Sequence, residues 1–162
     1  MQLKLLVVVR SGGTREEIEH LAQWFSWTLS GGDFASSRVN IFFSFNEEES
    51  WECAAKLFQH VNPTRFTFSR TKVMDKGWRS SEPIPAIRTW FSGYTEDHEV
   101  LVLVGNCYWF ESFLGYFARN EDDGDTQIGP IASLFPGELY ALDCSRPKGQ
   151  WKMSSVKYVK QQ

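Results

Sequence analysis

The chain has 162 residues, of which 42% are hydrophobic and 23% charged, and its formal net charge is −3. That length suits one domain (residues 1–162) with a sizeable core, and the mixture carries no signature of disorder. The mild acidity leaves no electrostatic footprint for nucleic acid, and no apolar run approaches the roughly 18 residues of a membrane-spanning helix.

Leu3 to Thr14 reads LKLLVVVRSGGT. The continuous aliphatic stretch is too short to span a membrane and lacks a small-residue cleavage site, so it is expected to be a strand and not a signal peptide. A strand without polar interruption is buried on both faces, as central parallel strands are. It breaks at Arg10-Ser11-Gly12-Gly13-Thr14 and feeds TREEIEHLAQWFSWTL, which has helical spacing. Such a turn lies at the carboxyl edge of the sheet, where open α/β sheets bind ligands. Arg10 ends the strand where an anion would sit, facing the amides of the next helix.

Thr14 can cap that helix, with Glu16 and Glu17 in its first turn, and Ile18, Leu21, Ala22, Phe25 and Leu29 form its apolar stripe. His20 falls off the stripe and reads as a solvated surface residue. Ser30-Gly31-Gly32-Asp33 is the stop. Val39 to Phe45 is a second strand, followed by Glu47, Glu48 and Glu49 and a helix over Ser50–Val61 that ends at Asn62-Pro63. Arg65–Phe68 is a short third strand. Lys72–Glu82 has no clear period and is expected to loop across the top of the sheet.

Pro83 and Pro85 open a third helix that ends near Gly93, and His98-Glu99 leads into VLVLVG, the second uninterrupted aliphatic strand. Gly105-Asn106-Cys107 breaks it, and a helix over Tyr108–Asn120 follows, repeating the opening unit. Asn120–Asp125 is an acidic turn whose spacing is wrong for calcium. Gly137–Cys144 and Trp151–Val159 read as two closing strands joined through Pro147-Lys148-Gly149. The sum is an α/β three-layer sandwich: a mostly parallel central sheet, helices on both faces, and an antiparallel C-terminal edge hairpin.

Cys53, Cys107 and Cys144 are odd in number and have neither a CxxC pattern nor nearby histidines. They favour neither a disulfide framework nor a zinc site, and a cytoplasmic location is expected. Seven Trp residues make the chain unusually aromatic. On the fourth helix Phe110, Phe113 and Phe117 suit a core face, while Trp109 and Tyr116 form a second line that could support a homo-oligomer contact.

The ordered motifs resemble the histidine phosphatase superfamily, the phosphoglycerate-mutase-like fold. There the first strand ends in Arg-His-Gly-x-Thr, and a later one ends in Gly-His before a helix. Here the corresponding residues are Arg10-Ser11-Gly12-Gly13-Thr14 and Gly105-Asn106. Phe43-Ser44, Glu48-Glu49-Ser50 and Trp51-Glu52-Cys53-Ala54 occupy the place of the family's Ser-ended strand and Arg-Ala-x-Gln-Thr-Ala helix. Phe135–Leu142 and Gln150-Trp151 resemble the closing strands of the short phosphohistidine phosphatases of SixA type.

The resemblance implies a degenerate active site. The nucleophilic His is replaced by Ser11, which needs an adjacent base, and the second His by Asn106, which carries no charge. The second phosphate-clamping Arg falls at or near Glu48 or Glu49. Phosphoryl transfer depends on positioning and on neutralising spread negative charge, so this set implies a pseudophosphatase, not an enzyme. The ligand-binding set is Arg10, Ser11, Gly12, Gly13 and Asn106 with Glu48 and Glu49 beside them; Arg10 pairing with one of those glutamates is an alternative that would close the site. No metal, no cofactor, no nucleic acid and no membrane are expected, and the partner is a small anion or a protein. Three other readings stay open: an enzyme of changed chemistry using Ser11 or Cys107, a residual phosphatase, and an unrelated α/β binding domain.

Overall fold

In chain order the elements are β1 (Leu5–Arg10), α1 (Arg15–Ser30), β2 (Val39–Ser44), α2 (Glu48–Leu57), β3 (Phe66–Thr71), α3 (Pro83–Ser92), β4 (Val100–Gly105), α4 (Phe110–Arg119), β5 (Leu139–Asp143) and β6 (Lys152–Val156). The computed structural model describes residues 3–61, 66–93, 99–119 and 131–160. They build one six-stranded sheet in the order β3-β2-β4-β1-β5-β6. The first four strands are parallel; β5 runs antiparallel to β1 and β6 antiparallel to β5. The α/β sandwich with an antiparallel C-terminal hairpin is the architecture expected from the sequence.

The two uninterrupted runs are neighbours inside the sheet, in register from Leu5↔Val100 to Arg10↔Gly105. Each needs apolar side chains at every position because alternate residues enter different cores. Leu5, Val7, Val9, Val100, Val102 and Val104 pack with α1 and α2. Leu6, Val8, Leu101 and Leu103 face the opposite core with Ile87 and Phe91 of α3 and Phe110, Phe113 and Leu114 of α4.

Some expected boundaries move. The second helix starts at Glu48 and stops at Leu57, where Phe58 turns its N–H to the Lys56 carbonyl, so Gln59–Val61 lie beyond it. β3 extends to Thr71 because it pairs with all six residues of β2. The Thr71 hydroxyl then accepts from the Val73 amide and starts a short 3₁₀ turn over Lys72–Met74, inside the stretch expected to be a loop. The second aromatic line on α4 does not exist as a surface. Trp109 is buried, and its indole N–H donates to the Val73 carbonyl at 3.3 Å, so the homo-oligomer contact drawn through it is withdrawn. Arg65, His98 and the 120–125 turn lie outside the described residues.

Candidate functional site

The end of β1 and the end of β4 meet at the carboxyl edge, with Ser11 N–H donating to the Gly105 carbonyl at 3.1 Å. Gly12 and Gly13 follow with φ of +100° and +96°, a region that side-chain-bearing residues rarely adopt. Gly13 has a second reason to be glycine: a Cβ there would lie 2.9 Å from the Gly137 Cα. The Phe135–Glu138 turn therefore sits directly on the glycine loop. It is held there by Arg10 N–H to the Glu138 carbonyl and Gly137 N–H to the Arg10 carbonyl, both 3.0 Å. Thr14 and Glu17 form a reciprocal capping box at the start of α1.

Arg10 does not face an open anion site. Its Nη2 contacts Glu111 Oε1 at 3.0 Å, its Nη1 donates to the Cys107 carbonyl at 2.9 Å, and its Nε to the Leu134 carbonyl at 3.2 Å. The Phe110 ring lies 5.5 Å from the guanidinium carbon. The side chain keeps 14% of its exposure and that of Glu111 23%, so this pair is shielded from much of the solvent screening that weakens surface ion pairs. The same Glu111 oxygen accepts the Leu134 amide at 2.9 Å, which ties α4 to the segment before β5. The expected pairing of Arg10 with Glu48 or Glu49 is not seen; the carboxylate on Arg10 is Glu111, brought in from α4.

Ser11 and Asn106 do come together. Asn106 Nδ2 donates to Ser11 Oγ at 2.8 Å, and the Ser50 hydroxyl of α2 lies 3.4 Å from the same oxygen. Ser11 is 1% exposed and Ser50 fully buried. The Gly12 amide points at the Cys53 sulfur, where burial pushes the thiol up to about 11. Asn106 and Ser50, the partners of the Ser11 hydroxyl, are both neutral, and neither is a base. Glu49 lies over the loop, its Oε1 2.9 Å from where a Gly12 Cβ would be, whereas Glu48 turns to the adjacent cleft at the ends of β2 and β3.

Cys107 is not on a reactive helix start. It is 1% exposed, its Sγ donates to the Met74 carbonyl at 3.3 Å, and burial above all pushes its thiol far above the ordinary range. A nucleophile needs the thiolate, so the geometry argues against this route to changed chemistry. His20 stands edge-on to Tyr158, just past β6, with ring centroids 5.8 Å apart.

No protein-family model and no curated protein matches the sequence. Solved structures do. A phosphoglycerate mutase from Plasmodium falciparum superposes with a TM-score of 0.52 at 10% identity, over 98% of this chain and 91% of that one. A phosphoglycerate mutase from Bacillus anthracis gives 0.49 at 11% identity, over 96% and 93%. The chain has a phosphoglycerate mutase-like fold.

Within that fold the edge that carries Arg10, Ser11 and Asn106 is closed by groups that the sequence reading missed. Glu111, Ser50 and the Leu134 carbonyl make the contacts, from α4, α2 and the segment before β5. One signal was available for Glu111: it sits in the first turn of the helix that follows Gly105-Asn106-Cys107, on the same edge as Arg10. Nothing in the spacing marks Leu134.

Proposed function

We propose that this phosphoglycerate mutase-like chain is a pseudophosphatase related to the short SixA-type branch, acting by binding a ligand or a protein partner. The observation that carries this is the state of Arg10. Its charge is matched by Glu111 and two of its other N–H groups meet backbone carbonyls, so the remaining cation of the motif is not offered to a phosphoryl group. At the two positions where the resemblance places histidines, Ser11 and Asn106 bond to each other, which leaves neither a nucleophile with a base nor a second positive charge. Among the described residues no group of three His, Cys, Asp or Glu side chains could hold a metal ion. Three free, buried cysteines fit a reducing compartment and support a cytoplasmic location. No helix among the described residues is long and apolar enough to cross a membrane.

Purified protein incubated with small phosphomonoesters and with phosphohistidine should release no phosphate above the rate of an Arg10→Ala variant. Turnover that Ser11→Ala abolishes would overturn the reading and restore a serine-based enzyme.

A further inference from the structure

Beside the closed edge lies a cleft of about 400 Å³ between the ends of β2 and β3 and the start of α2. Two exposed aromatic side chains line it, Phe45 (51%) and Trp51 (45%), neither of which is needed by either core. Glu47 and Glu48 line it from one element and Arg70 from another. Arg70 lies over the Phe43 ring at 5.8 Å, and among the described residues it makes no ion pair with either glutamate. One side of the cleft is set by backbone contacts, since Glu47 Oε2 accepts the Lys76 amide at 3.0 Å.

Arg70 and the two glutamates line this cleft without an ion pair, and Phe45 and Trp51 line it with them. Such a space is complementary to a small molecule that carries both charges and an apolar body.

We infer that this cleft binds a free α-amino acid with an apolar or aromatic side chain. Its carboxylate meets Arg70, its ammonium meets Glu47 and Glu48, and its side chain lies against Phe45 and Trp51. Neither terminus of a peptide offers both charges on one carbon, so a free amino acid and not a peptide end is the occupant. The site is separate from Arg10 and does not depend on whether the chain is catalytically silent.

The test is an NMR titration of the isotope-labelled protein with L-phenylalanine, phenylalaninamide, N-acetylphenylalanine and inorganic phosphate. L-Phenylalanine should give saturable shifts at residues 44–51 and 70. The amide and the N-acetyl compound, each lacking one charge, should bind about tenfold more weakly, the loss of one charge-assisted hydrogen bond. Arg70→Gln and Glu48→Gln should each weaken L-phenylalanine to a similar degree, and Glu52→Gln, on the same helix outside the cleft, should not. No saturable shift up to about 10 mM, or equal binding of either single-charge analogue, would overturn the proposal. The analogue comparison uses the unaltered protein, so it decides even if a variant misfolds, and phosphatase activity in the first assay would leave it untouched.

Discussion

At the end of β1 the Arg10 guanidinium lies 3.0 Å from the Glu111 carboxylate, and Ser11, Ser50 and Asn106 hydrogen-bond among themselves. At the ends of β2 and β3, on the same edge, Arg70 and Glu48 line one cleft without pairing. The difference follows from what packs above each. The first region is roofed by the Phe135–Glu138 turn and by α4, which bring a carboxylate and a carbonyl to within reach of Arg10. The second stands next to the edge strand β3, where the Asp75–Lys76 segment holds Asn46 and Glu47 but the aromatic side chains of Phe45 and Trp51 remain exposed. What the loops and helices place over a sheet edge thus decides whether its charged groups are matched or left exposed.

The largest expected effect comes from prying the roof off the first region. Gly13→Ala forces a Cβ to within 2.9 Å of the Gly137 Cα at a φ of +96°. It should destabilise the protein by about 3–5 kcal/mol, the sum of backbone strain and overpacking. Gly77→Ala, where nothing lies within 4 Å, should stay within about 0.5 kcal/mol. Urea unfolding of both variants measures the contrast, and equal midpoints would show that the turn does not press on the loop.

A smaller effect, and one that makes the closed region resemble the open one, is expected of Glu111→Gln. It removes the carboxylate from a pair whose side chains keep 14% and 23% of their exposure. The cost should be about 1–3 kcal/mol, because Arg10 keeps its carbonyl contacts but loses its counter-charge. Phosphate should bind the unaltered protein no better than about 1 mM and the variant several-fold more tightly. Calorimetry that finds tight phosphate binding to the unaltered protein, lost in Arg10→Ala, would show that the edge was never closed. Charge reversal at Glu48 should matter less for phosphate than Glu111→Gln, since Glu48 belongs to the other cleft.

The smallest effect reports how dry the closed region is. Cys53 lies under the Gly12 amide, and its thiol is raised from 9.0 to about 11, chiefly by burial. The unfolded chain ionises this thiol first, so stability is undiminished below pH 9 and falls as pH rises through 11. At pH 10 the loss from this residue should be about 1 kcal/mol. Cys144, raised to about 12, adds in the same direction. The difference in urea midpoint between pH 8 and pH 10 should shrink in Cys53→Ala; an unchanged difference would mean that water reaches the thiol.

What the sequence determined on its own is the layer structure. Leu5–Val9 and Val100–Val104 lack polar interruption because both their faces are buried, and that requirement is written in consecutive residues. The glycines after β1 and the Thr14 cap were legible for the same reason: a positive φ and a helix start are local demands. Even the meeting of Ser11 with Asn106 followed from two parallel strands ending at one edge. Only the tertiary structure decided what Arg10 does. Glu111 is 101 residues away and Leu134 is 124 away, brought in by the packing of α4 and by the turn that docks on Gly13. No local pattern encodes a contact between segments so far apart, because it exists only once the sheet has set the distance between them.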